Sequence, residues 1–198
     1  MNTANKITMS RIFLTVIMLI VLLFPWTMVG VDMPVWKISR INETIELRYI
    51  IAGLLFVLAS ITDFIDGYVA RKYNMVTDFG KMVDAISDKL LTSAVLIILA
   101  CDGVVSPIIA VVIISRDIFV DTIKMVLGNK GHVVAAIKVA KYKTASLMFG
   151  LALSLFGNLP FELFNIRISD FLLVLAAILS VVSGVKYYMM SKEYITEK

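Results

Sequence analysis

Apolar residues in this chain come in long runs, broken by short polar connections. Six runs stand out, at about 9–31, 49–70, 79–100, 104–127, 141–157 and 170–190. A helix of about 20 apolar residues matches the thickness of a bilayer's hydrocarbon core. The pattern therefore predicts an all-α integral membrane protein of six spanning helices. Connections are short except at 32–48 and 128–140, which predicts one compact bundle and a single domain over 1–198. The segment 32–48 holds Pro34, Trp36, Lys37, Arg40, Glu43, Glu46 and Arg48, and reads as an interfacial helix or loop with an aromatic anchor. Asn158-Leu159-Pro160 reads as a turn. Lys6 and Arg11 precede the first run, and no small-x-small cleavage site follows it. That run is expected to be an uncleaved first helix.

Composition agrees. Sixty per cent of the 198 residues are hydrophobic, and the mean hydropathy is +0.91. A water-soluble domain of this size needs far more polar surface. The net charge of +4 fits attraction to anionic lipid headgroups, and no like-charge run or nucleic-acid motif points elsewhere. The lone Cys101 forbids an internal disulfide. Basic residues, from Lys6 and Arg11 through Lys72, Lys138 and Lys141 to Lys192, gather on the side of the two termini. Only Lys37, Arg40, Arg48 and Arg167 fall opposite. The excess of positive charge on cytoplasmic loops puts both termini in the cytosol.

The informative residues are acids within the apolar runs. Asp63 and Asp66 lie near the end of the second, Asp84 and Asp88 near the start of the third. A charge at bilayer depth costs roughly 2.5 kcal/mol or more, so it is rarely idle. Spacings of three and four put each pair on one helix face. The short connection predicts antiparallel neighbouring helices with the pairs facing each other. Four converging carboxylates need protons or cations between them, and an oxygen-only set favours a hard divalent ion. Gly67 and Ala70 sit one turn beyond Asp63 and Asp66 and leave room for a bulky ligand. Arg71 adds a planar fork suited to phosphate, and Gly80 opens the third helix where a substrate could approach backbone.

The string Asp63-x-x-Asp66-Gly67-x-x-Ala70-Arg71, eight residues, then Gly80-x-x-x-Asp84-x-x-x-Asp88 resembles the signature of the CDP-alcohol phosphatidyltransferases at every fixed position. Asn5-x-Ile7-Thr8-x-x-Arg11 is similar to that family's entry into its first helix. The resemblance implies two divalent cations, Mg²⁺ or Mn²⁺, held by Asp63, Asp66, Asp84 and Asp88. It implies that Asp88 is the general base on the acceptor hydroxyl, and that CMP leaves. It implies a CDP-lipid site lined by Gly67, Ala70, Arg71 and Gly80, with Thr8 and Arg11 at the same end. It also implies a homodimer, and a polar cavity open to the cytosolic leaflet.

Val76 to Lys81, Asp88-Lys89 and the stretches Val133–Ala136 and Lys141–Thr144 resemble the branch that uses glycerol 3-phosphate as acceptor, the phosphatidylglycerophosphate synthases. An acceptor phosphate needs cations, which Arg116, Lys138, Lys141 and Lys143 could supply. Arg116 sits deep in apolar sequence and needs a partner; Asp117 and Asp121 are the local choices. Ala85 and Ala140 depart from that branch, where proline and glycine are usual. Inositol phosphate and phosphatidylglycerol remain alternative acceptors. A cation-coupled transporter is the rival class, although the chain lacks the internal repeats such folds often show.

Overall fold

The computed structural model describes residues 3–30, 33–38, 43–73, 77–131, 135 and 137–196. Six helices account for most of them: α1 (Thr3–Leu23), α2 (Leu47–Lys72), α3 (Asp78–Cys101), α4 (Pro107–Asn129), α5 (Lys138–Leu155) and α6 (Ile168–Thr196). α1 stops before Phe24-Pro25, eight residues short of the expected boundary, and a 3₁₀ turn, Trp26–Val29, follows. Proline disfavours helical backbone in the residue before it, which accounts for the early stop. Pro107 sits at the first turn of α4, where its missing N–H costs nothing. Gly157 and Asn158 take left-handed backbone at the expected turn, and the Asn158 amide bonds Glu162, the Ile166 carbonyl and the Ser169 N–H.

The expected interfacial helix or loop at 32–48 is instead an antiparallel pair of strands, β1 (Val35–Ile38) and β2 (Glu43–Glu46), with Trp36 opposite Ile45. Its β-branched and aromatic residues suit a pleated ribbon. Ile45 is buried and Trp36 points outward.

α1 packs against both α2 and α3, while direct contact between α2 and α3 is marginal. The expectation that α2 and α3 pack as neighbours is thus corrected: the first helix is wedged between them. α6 packs along α4 and α5. The core gathers Met18 and Leu22 of α1, Phe56 of α2, Leu91, Val95 and Leu99 of α3, Ile113 of α4 and Leu151 of α5. Backbones approach closely where α5 meets α6, since a Cβ on Gly150 would lie 2.9 Å from the Leu173 side chain.

α6 reverses the water-soluble pattern. Phe171, Val174, Ile178, Val181 and Val185 face outward, while Ser180, Ser183, Gly184 and Ser191 face inward. An apolar exterior around a small, polar interior is what a lipid solvent selects. By length and composition, Leu47–Tyr68 of α2 and Ile168–Lys192 of α6 could cross a membrane, and Ile7–Leu23 of α1 is a shorter apolar helix. α3, α4 and α5 carry more charged residues within their apolar stretches, described next.

Candidate active site

Asp63 and Asp66 near the end of α2 meet Asp84 and Asp88 near the start of α3 across α1, from which Arg11 reaches between them. The Arg11 side chain is fully buried. Its Nη1 lies 2.7 Å from Asp63, 2.8 Å from Asp84 and 3.3 Å from Asp88, and its Nη2 lies 2.5 Å from Asp66. Thr8, one turn earlier, donates to the same Asp66 oxygen at 2.9 Å. Spacings of three and four make this convergence possible, because each pair shares a helix face. The register of α3 is set by Thr77, whose hydroxyl caps the helix by accepting the Gly80 N–H at 3.0 Å. The cluster is closed toward Asp66, only 5% exposed, and open toward Asp84 and Asp88, at 46% and 40%.

One oxygen each from Asp63, Asp66 and Asp84 can be chosen so that all lie within 4.8 Å of one another. That all-oxygen donor set fits a hard divalent cation. Four carboxylates face one guanidinium, so the group retains a formal excess of negative charge.

A second cluster lies between α4, α5 and α6. Asp117 bridges Arg116 at 2.8 Å and Lys143 at 2.6 Å. Arg116 also donates to the Ser180 carbonyl at 3.1 Å and to the Ser183 hydroxyl at 2.6 Å, and its guanidinium stands over the Tyr187 ring. Here two cations share one carboxylate. Lys89, next to the metal-type cluster, pairs with Asp121 one turn along from Asp117, and lies in electrostatic range of Asp117 and Lys143. The two clusters are therefore adjacent.

The sequence profile of the CDP-alcohol phosphatidyltransferases matches residues 1–183. The chain belongs to the CDP-alcohol phosphatidyltransferase family. Among its relatives is a CDP-diacylglycerol–glycerol-3-phosphate 3-phosphatidyltransferase of Bacillus subtilis, 40% identical over 188 residues, 94% of this chain and 93% of the relative. A protein of the same name from Rickettsia typhi is 37% identical over 194 residues, 98% of each chain. Another from Mycoplasma genitalium is 35% identical over 153 residues, 77% of this chain and 64% of the relative. As a CDP-alcohol phosphatidyltransferase the chain is a transferase and a membrane protein, of a family that is generally dependent on divalent metal.

Of the residues singled out by sequence, the four aspartates, Thr8 and Arg11 come together. Gly67 is half-buried on α2, and the Gly80 N–H is taken by the helix cap. The side chains of Ala70 and Arg71 lie outside the described residues, as do Val76, His132, Val133, Val134 and Ala136. Arg116 and Lys143 join the second cluster, whereas Lys138 and Lys141 are exposed and make none of its contacts. Arg116 takes Asp117 as its carboxylate partner, and Asp121 goes to Lys89.

Sequence reasoning did not find Ser180 or Ser183, nor a place at the site for Tyr187. A serine or tyrosine inside an apolar helix carries no motif. The only signal was their spacing of three and four, which puts them on one face.

Proposed function

We propose that the chain transfers the phosphatidyl group of CDP-diacylglycerol to glycerol 3-phosphate, giving phosphatidylglycerophosphate and CMP. The observation that carries this reading is the carboxylate cluster around Arg11 standing beside a cation-rich cluster around Arg116. An acid-rich site suits the cations that accompany a pyrophosphate, and a cation-rich site suits an acceptor that bears its own phosphate. The relatives' names support the same pair of substrates.

In this reading Asp63, Asp66, Asp84 and Asp88 hold two divalent cations, Mg²⁺ or Mn²⁺. Such ions supply Lewis-acid neutralisation of the pyrophosphate charge. Thr8 and Arg11 steady Asp66, and Gly67, Ala70, Arg71 and Gly80 border the CDP-lipid. Arg116 and Lys143 grip the acceptor phosphate, with Lys138 and Lys141 drawing it in from solution. Asp88, 40% exposed on the open side of the cluster, takes the proton from the acceptor hydroxyl. The hydroxyl oxygen bonds to the lipid-bearing phosphorus, the bond from that phosphorus to the bridging oxygen breaks, and CMP departs.

The chain acts as one membrane domain over 1–198, crossing six times, with both termini and the cavity on the cytosolic side, and assembles as a homodimer. The bias of basic residues supports that orientation. α3, α4 and α5 turn their charges toward one another, which supports their place in the bilayer beside α2 and α6.

The test is CMP release by the purified protein with CDP-diacylglycerol, with and without glycerol 3-phosphate, in Mg²⁺ or Mn²⁺ and then in EDTA. Release that needs both the metal and glycerol 3-phosphate is expected. Release only with inositol phosphate or phosphatidylglycerol would keep the transfer and replace the acceptor. No release with any alcohol would remove the transfer itself.

A further inference from the structure

We infer that α6 supplies the residues that aim Arg116 at its anion, and that the Ser183 hydroxyl sets the aim. This rests on the proposed acceptor site and adds the element that holds it in shape.

An arginine has five N–H donors. In Arg116 the Nε–H goes to the Ser180 carbonyl at 3.1 Å, one Nη2–H to the Ser183 hydroxyl at 2.6 Å, and one Nη1–H to Asp117 at 2.8 Å. One N–H remains on each terminal nitrogen. A donor on each terminal nitrogen suits the oxygens of a phosphate.

Ser183 cannot turn away from this task. Its own proton is given to the Ser180 carbonyl at 3.0 Å, so its lone pairs are left to accept from Arg116. The side chain is fully buried, and water does not compete for it. Gly184 is small for a reason visible here: a Cβ would lie 3.1 Å from the Arg116 Cγ and press on the stem of the side chain. One turn on, the buried Tyr187 ring lies under the guanidinium, with the Arg116 Cζ 5.6 Å from its centroid. Its hydroxyl accepts the Ile137 N–H at 3.3 Å, directly before α5 begins at Lys138. Residues 180, 183, 184 and 187 share one helix face. That face therefore fixes both the arginine and the start of the helix that carries Lys143.

The experiment is steady-state kinetics of the full-length protein in detergent or nanodiscs with Mn²⁺. Ser183→Ala is expected to raise KM for glycerol 3-phosphate about tenfold, the loss of one hydrogen bond to a charged group, with KM for CDP-diacylglycerol unchanged. Ser183→Thr, which keeps the hydroxyl, should return the acceptor KM close to that of the wild type. Gly184→Val should raise the same KM by pushing on the Arg116 stem. An acceptor KM unmoved by both Ser183→Ala and Gly184→Val would overturn the inference. So would equal losses for both substrates, or a Ser183→Thr protein no better than Ser183→Ala, since either is the mark of a packing role. Wild-type protein that ignores glycerol 3-phosphate would remove the acceptor reading and this inference together, and that result appears before any variant is made.

Discussion

Arg11 and Arg116 are both held inside the helix bundle, yet their surroundings have opposite charge balances. Arg11 is surrounded by four carboxylates and one threonine acting through Asp66. Arg116 shares a single carboxylate with Lys143, and its other partners are neutral oxygens of α6. The first arginine answers part of a surplus of negative charge, whereas the second is part of a surplus of positive charge. A low-dielectric interior does not tolerate either surplus without a compensating ligand. In the proposed function, cations answer the first surplus and an anion the second. Both sites lie on charge-bearing helices surrounded by apolar surface, and a phosphoryl group can pass between them only if they adjoin, as the Lys89–Asp121 pair indicates.

The sharpest way to break the comparison is Asp88→Asn. It should cut CMP release by a factor of ~100 or more while leaving KM for CDP-diacylglycerol nearly unchanged. Turnover close to that of the wild type would remove Asp88 as the base. Next comes Arg116→Ala, expected to raise KM for glycerol 3-phosphate between about tenfold and a hundredfold through loss of charge-assisted hydrogen bonds. If the KM for the CDP-lipid rose as much, the second cluster would not be an acceptor site.

Arg11→Gln probes the first cluster from the other side. It should cost about 3 kcal/mol of stability in EDTA, since it strands the buried Asp66 carboxylate. Added Mn²⁺ should then raise the melting temperature of the variant more than that of the wild type, because Arg11 and a divalent ion draw on the same oxygens. Equal shifts would show that they do not compete. Gly150→Ala, far from both clusters in role, should cost about 1–3 kcal/mol by crowding Leu173 and leave both KM values alone.

Much of the acid site was legible in the sequence because its geometry is local. Asp63 and Asp66 need only a helix to share a face, and so do Asp84 and Asp88. Arg11 was legible as a participant but not as the centre, because its place depends on α1 lying between α2 and α3. No spacing along the chain records that packing. The cationic site was half legible. Arg116 was conspicuous as a charge in apolar sequence, and its choice of Asp117 over Asp121 was settled by helix packing. Lys138 and Lys141 looked equivalent to Lys143 in sequence, but the helix turn buries only Lys143. Ser183 was invisible because serine is common inside membrane helices. The strand pair Val35–Ile38 and Glu43–Glu46 was missed because its charged residues resemble those of an interfacial helix. Its strand signal lay in Val35, Ile38, Thr44 and Ile45, which were not weighed.

Binding of Mn²⁺, followed by electron paramagnetic resonance in the wild type, Asp84→Asn and Arg116→Ala without substrate, tests the opposite charge surpluses most directly. Binding that weakens strongly in Asp84→Asn and is unaltered in Arg116→Ala is the expected result. Equal binding in the wild type and Asp84→Asn would contradict the account, because the carboxylates around Arg11 would then not be the cation site.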